Sequence, residues 1–150
     1  MKHRLLLLAL CLASAPLFAQ SGNAAAAPTN ANIASAPGYT AASLVGRWEH
    51  RYDTAESRLY QVTELKENKT FTQHAVYKDP QGNVLVDNMA TGTWSFDGVN
   101  FIRVVTAVNQ QKLPRRQQVR LAHKMGTVTA SSFQSVDTET QRQLIFTRMR

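Results

Sequence analysis

The sequence predicts an all-β domain, an eight-stranded antiparallel up-and-down β-barrel, preceded by a signal peptide and a disordered Ala/Pro/Asn-rich tether. Three observations predict this fold. Turn-forming residues recur about every 10 to 14 residues from residue 43 onward. The runs between them are rich in Val, Thr, Phe, Tyr, Ile and Leu, which favour strands. None of the runs has the sustained apolar stripe of an amphipathic helix.

Eight such runs follow one another, and each is bounded by a turn signal. The predicted strands are residues 46–53, 57–66, 69–78, 84–96, 99–109, 115–125, 127–136 and 140–149. The predicted turns lie at Asp53–Glu56, Glu67–Lys69, Asp79–Asn83, Asp97–Gly98, Gln110–Pro114, Gly126 and Asp137–Thr140.

The third and sixth runs show the clearest period-two alternation. In the third, Phe71, Ala75 and Tyr77 share a face with Gln73. In the sixth, Leu121 and His123 share a face, and the basic residues Arg116, Arg120 and Lys124 fall on the other. One apolar and one wet face is typical of antiparallel sheets. The fourth and fifth runs carry apolar residues on both faces, so their phases stay ambiguous.

Short connections between sequential strands favour a meander. Closing eight strands into a barrel removes both exposed edges. The interior of such a barrel is filled by side chains or holds one small ligand. An open sandwich is the structural alternative, and a parallel sheet is disfavoured because no connection is long enough for a crossover.

The first 42 residues are expected to stay outside the barrel. Residues 1–19 read as a secretory signal peptide, with a basic start, an apolar run over Leu5–Leu12 and a small residue at Ala19. Residues 20–42 read as a flexible linker, and residues 43–150 as the folded domain. Lipidation at Cys11 is disfavoured because Leu10 precedes it. We expect a periplasmic or secreted protein without a membrane span.

The ends of the predicted barrel carry a family pattern. Gly46-Arg47-Trp48 opens the first strand and Ile145-Phe146-Thr147-Arg148 closes the last. Residues 65–72 and the segment from Gly92 to Gly98, which contains a second Gly-x-Trp, complete the pattern. The chain resembles the lipocalin and calycin superfamily, in particular small bacterial lipocalin-like domains. The resemblance implies a barrel that binds a small ligand.

Within that pattern, Gly46, Trp48 and Arg148 are expected to have structural roles. Trp48 would plug one end of the barrel. Arg148 would lie across the indole, since the first and last strands become neighbours on closure. Gly46 would allow a close approach of the backbone.

The inward-facing residues are the place to expect a ligand. The alternation and the resemblance together predict a mostly apolar lining with a few polar groups that fix orientation. The predicted ligand-binding residues are Tyr60, Phe71, Gln73, Tyr77, Trp94, Leu121 and His123. The expected ligand is a small apolar or amphipathic molecule, although large residues such as Trp94 could also fill the interior.

The sequence shows no catalytic, metal or cofactor motif. It lacks a Gly-x-Ser-x-Gly elbow, a phosphate-binding Gly-rich loop and a His-x-x-x-His pair. We therefore expect no catalytic residues, no metal and no cofactor. His50 and His74 are expected on solvated faces, and His123 is either a ligand contact or a core histidine.

A basic cluster leaves a second function open. Removing Lys2 and Arg4 leaves 15 basic and 10 acidic residues. Arg115, Arg116, Arg120 and Lys124 are concentrated near the sixth run and form a possible partner surface. In this alternative a solid barrel acts by protein contact, as an inhibitor or immunity-type protein. The simpler interpretation is a solvated strand face, and no nucleic-acid partner is expected because no aromatic residues interleave the stripe.

Overall fold

The computed structural model describes residues 39–150, which form a closed eight-stranded antiparallel barrel with one short strand outside it. The strands are β1 (Gly46–Asp53), β2 (Arg58–Leu65), β3 (Thr70–Lys78), β4 (Val84–Phe96), β5 (Asn100–Val108), β6 (Gln111–Lys112), β7 (Val119–Val128), β8 (Ser132–Asp137) and β9 (Gln143–Arg148). A four-residue helix, α1 (Ala41–Leu44), precedes β1.

The barrel closes through the pairing of the first strand with the last. Around the barrel each strand pairs with its successor in the order β1, β2, β3, β4, β5, β7, β8 and β9. β9 then pairs with β1, with Trp48 opposite Arg148 and Glu49 opposite Thr147. The predicted closed barrel is therefore confirmed, and the sandwich alternative is wrong. β6 pairs with β5 alone and lies outside the circuit.

One predicted turn is misplaced. β7 runs through Gly126, and the pairing of β7 with β8 shifts register between Met125 and Val128. The chain instead turns after β7, where the Thr129 hydroxyl accepts hydrogen bonds from the backbone N–H groups of Ser131 and Ser132. Glycine is tolerated in a strand at such an irregularity, so it did not mark a turn here.

The folded unit begins earlier than predicted. The linker was expected to run to residue 42, but Tyr39 and Ala41 pack against the hydrophobic core. The predicted signal peptide, with Cys11, and most of the predicted linker lie outside the described residues. Within residues 39–150, no helix is long and apolar enough to cross a membrane.

One end of the barrel is filled by aromatic side chains. Phe133 stacks on Phe146 with ring centroids 4.5 Å apart, and its ring meets the edge of Trp48 at 4.7 Å. Phe101 contacts Phe133 and Trp94 edge to face, at 6.0 and 6.2 Å. Edge-to-face and stacked pairs stabilise a core beyond the burial of their area. We call this the aromatic end.

Arg148 seals the aromatic end, as the sequence predicts. Its Cζ lies 4.1 Å from the centroid of the Trp48 ring. The guanidinium donates hydrogen bonds to the carbonyl oxygens of Val45, Ser43 and Ala130 at 2.7–2.8 Å. It thereby ties the segment before β1 to the turn after β7, which are far apart in sequence.

Trp48 and Gly46 complete this seal. The Trp48 indole N–H donates to the Leu44 carbonyl at 2.7 Å, so the plug is itself fixed to α1. Gly46 has a φ of +132°, and a Cβ at this position would lie 2.5 Å from Arg148 Nη1. Glycine is required here both for the backbone conformation and for the guanidinium.

Arg148→Lys is expected to lower the free energy of unfolding by about 2 kcal/mol, because a lysine cannot donate to three carbonyl groups from one planar fork. Urea unfolding measures this loss. Arg120→Lys, on the exposed outer face of β7, is the matched control and should change stability by about 0.5 kcal/mol or less. Equal unfolding midpoints for both variants would show that the seal contributes nothing.

Candidate functional site

A layer of buried polar side chains crosses the barrel interior directly above the aromatic end. On several strands a polar residue lies two positions from a core residue on the same inward face, as Arg103 does from Phe101 and His123 from Met125. We call this set the polar layer. It consists of His50, Gln61, Thr63, Arg103, His123 and Ser135, which are all buried, and of half-buried Gln73.

Arg103 is the charged centre of the polar layer. It is only 3% exposed. Its guanidinium donates to Gln73 Oε1 and to His123 Nε2, the latter at 3.3 Å. Its Cζ also lies 5.6 Å and 5.8 Å from the ring centroids of Phe101 and Phe71. A buried charge is costly unless it is hydrogen-bonded, and Arg103, with its partners, is the centre of the candidate site.

The contact with Arg103 fixes the protonation of His123. A guanidinium has donors and no acceptor, so Nε2 must accept and the proton of the neutral ring lies on Nδ1. Burial, helped by the charge of Arg103, lowers the pKa of His123 to about 4. The ring is thus neutral at pH 7, with a buried Nδ1–H that has no hydrogen-bond partner within the described chain.

His50 also faces inward, which corrects the expectation of a solvated position. It is buried against Phe146, with ring centroids 5.1 Å apart. Its Nδ1 donates to the Ile145 carbonyl at 2.8 Å. Burial lowers its pKa, and the charges of Arg103 and Arg142 act in the same direction. His74 does lie on the outer face, where it contacts Asp87.

The predicted ligand-binding residues separate into three groups. Gln73 and His123 belong to the polar layer. Phe71 and Trp94 are buried in the aromatic end, and the Trp94 indole donates to the Lys66 carbonyl at 3.0 Å. Leu121, which lies opposite Arg103 in the strand register, and Tyr77 are on the inward phases of β7 and β3, where they are half-buried.

Tyr60 was expected inside the barrel, and this prediction is wrong. Gln61 and Thr63 occupy the buried phase of β2, so Tyr60 lies on the outer face, with Arg51 5.0 Å from its ring centroid. It lines an outer groove of about 460 Å³ together with Val62, Glu64, His74, Met89 and others. The error arose because β2 places its apolar Tyr60 and Val62 outside and polar residues inside.

Sequence reasoning missed Arg103, His50, Gln61, Thr63 and Ser135. On β2, assigning polar residues to solvent gave the wrong phase, because Gln61 and Thr63 face the barrel interior. One signal was present, because Gln73 and His123 already shared a face with apolar residues on two separate strands. Extending that level across the sheet register, in which Thr63 lies opposite Gln73, would have found part of the layer.

The predicted partner surface is exposed but is not one strand face. Arg115 and Arg116 lie in a short 3₁₀ helix (Arg115–Gln117) that leads into β7. Arg120 and Lys124 share the outer face of β7. The helix after Pro114 occupies the start of the predicted sixth strand, so β7 begins at Val119, later than the alternation suggested.

The described residues offer no obvious metal centre, and comparisons with known proteins add no identity. Among residues 39–150, no three His, Cys, Asp or Glu side chains come together in a way that could hold a metal ion. No protein-family model matches the chain, and no curated protein matches it.

The buried histidines predict a loss of stability on mild acidification. The unfolded chain binds protons near the ordinary histidine pKa of 6.5, while folded His123 does so only near pH 4. The free energy of unfolding should therefore fall as the pH drops from about 6.5 to about 4, by on the order of 3 kcal/mol for His123. His50 adds a fall of the same sign.

Urea unfolding at several pH values between 7 and 4 measures this fall. His123→Gln should show a smaller fall because one buried titrating ring is gone. His74→Gln, on the outer face, is the control and should keep the full fall because both buried rings remain. The same pH dependence in His123→Gln and the parent protein would contradict the assignment.

Proposed function

We propose that this protein is an exported, non-catalytic, lipocalin-like barrel that binds a small amphipathic molecule in its interior. The polar group of the ligand lies at the polar layer and its apolar part extends toward the end opposite the aromatic end. The observation that carries the proposal is the polar layer itself. It contains the buried guanidinium of Arg103 and the buried Nδ1–H of His123, and this N–H has no hydrogen-bond partner in the described chain. The first 19 residues support export.

The energetics favour a ligand at this level. Burying a charge and unpaired polar atoms costs free energy, and a ligand that pairs with them recovers part of that cost. Buried polar groups in folded proteins are hydrogen-bonded in the great majority of cases, so an unpaired one calls for an explanation. The polar layer of this barrel leaves His123 Nδ1 and Ser135 Oγ without a hydrogen-bond partner in the described chain.

The small side chains beside the polar layer suit an apolar group. Ala75 and Ala90 are buried on β3 and β4, and Val105 is buried on β5. Ala90 lies directly opposite Gln73, and so it borders the polar layer. Small side chains next to a polar anchor are what a pocket for an amphipathic molecule requires.

Binding fits the geometry better than catalysis does. A nucleophile needs a base within hydrogen-bond reach. Ser135 Oγ and His123 Nδ1 are both without a partner, so Ser135 is not bonded to the imidazole, and the imidazole is not bonded to Asp137. The Asp137 carboxylate instead accepts from the N–H groups of Glu139 and Thr140.

Filling the interior beside the polar layer should abolish binding. Ala90→Leu places a branched side chain opposite Gln73, and we expect it to weaken binding of 1-anilinonaphthalene-8-sulfonate at least tenfold, about 1.4 kcal/mol. Thr91→Leu adds a similar volume on the outer face one residue later, where Thr91 is exposed, and should bind as the parent protein does. Fluorescence titration measures both.

Cooperative urea unfolding of each variant establishes that it is folded. Unchanged binding by a folded Ala90→Leu variant would place the ligand elsewhere. Failure of the parent protein to bind any amphipathic probe would overturn the proposal.

A second candidate function has one observation in its favour. No acidic residue occurs between Asp97 and Asp137, and the exposed Arg115, Arg116, Arg120 and Lys124 fall within that stretch. A basic surface suits an acidic protein partner. The barrel would then serve as a scaffold, in the manner of an inhibitor or immunity-type protein.

Charge reversal separates this candidate from ligand binding. Arg116→Glu/Arg120→Glu should eliminate a salt-sensitive partner recovered by pull-down from host extract. Arg58→Glu/Lys78→Glu makes the same change in charge on exposed residues of β2 and β3 and should retain the partner. Equal recovery with both variants would exclude the basic surface.

A further inference from the structure

The polar layer offers hydrogen-bond donors to a ligand, and from this we infer that the polar group of the ligand is an anionic carboxylate. The inference rests on the proposed function and specifies its ligand class. His123 Nδ1–H, the Ser135 hydroxyl and the Arg103 guanidinium are the groups that would hold the carboxylate.

The donor at His123 follows from hydrogen-bond geometry. Arg103 donates to Nε2, which leaves Nδ1 as a protonated donor 98% buried with the rest of its side chain. Nδ1 has no acceptor in the described chain. A ligand atom that satisfies it must therefore be an acceptor.

Three acceptors at the polar layer are already engaged. Gln73 Oε1 accepts from Arg103, and Thr63 Oγ1 accepts from Gln61 Nε2 at 3.1 Å. The Ile145 carbonyl accepts from His50. A ligand with a donor-rich polar group would find these atoms occupied, whereas an acceptor-rich group meets the His123 N–H and the Ser135 O–H.

The charge of the layer selects an anion among the acceptor groups. Arg103 contributes a positive charge and the neighbouring His123 ring is neutral at pH 7. Asp137, opposite His123 in the strand register, is committed to the N–H groups of its own turn. Charge-assisted bonds between guanidinium and carboxylate are the strong ones, and they strengthen where water is excluded.

Three probes of equal chain length test the inference: dodecanoate, dodecanol and dodecylammonium. They share the apolar tail and differ only in the polar group, so differences in affinity report on the polar layer. We expect dodecanoate to bind at least tenfold more tightly than dodecanol at pH 7, and dodecylammonium to bind most weakly. Isothermal titration calorimetry on the full-length mature protein measures the three affinities.

Two variants assign the effect to the polar layer. Arg103→Gln removes the charge. Ser135→Ala removes only a hydroxyl, so it provides a folded variant even if Arg103→Gln does not fold. Each should reduce the preference for dodecanoate over dodecanol about tenfold. Ser95→Ala, on the exposed outer face of β4, is the control and should keep the preference of the parent protein.

The outcomes distinguish this inference from the proposed function. Equal affinities for dodecanoate and dodecanol, or a preference for dodecylammonium, would overturn the carboxylate and leave interior binding intact. Binding of none of the three probes would overturn both. If the folded Ser135→Ala and Arg103→Gln variants both keep the parent protein's preference for dodecanoate over dodecanol, the carboxylate binds at another part of the protein.

Discussion

The barrel depends on a seal made by one arginine. The pairing of β1 with β9 contains only two opposed positions, Trp48 with Arg148 and Glu49 with Thr147. Backbone hydrogen bonds alone therefore give this junction little strength. Arg148 adds three bonds to carbonyl groups and a contact with the Trp48 indole, and Gly46 leaves space for its guanidinium. Without the seal, both outer strands would become exposed edges.

The seal also determines where a ligand can lie. Trp48 anchors the stacked aromatic residues, which fill one end of the interior and exclude it from binding. Arg103 and His123 follow on the next inward positions, so the aromatic end sets the level at which the polar layer begins. A rigid apolar floor beneath a charged layer keeps the polar groups in fixed positions, as precise binding requires.

Particular residues show how far sequence reasoning reached. The alternation of β3 and β7 correctly placed Gln73, Leu121 and His123 inside. It failed on β2, where polar side chains were assigned to water, and it left the phase of β5 ambiguous because apolar side chains occur on both faces of that strand. Tyr60 was placed inside but lies on the outer face, and Arg103, which was not considered, is buried inside the barrel. Hydrophobicity gives a strand's phase only where one face is clearly apolar.

The sequence by itself determined the number of strands, their order and the contact of Trp48 with Arg148, because turn residues and strand propensity act locally and closure brings the two ends of a meander together. Only the tertiary structure decided that Arg103, His50 and Ser135 meet at one level. These three residues lie on β5, β1 and β8, and no local pattern records which positions of distant strands share a layer of the barrel.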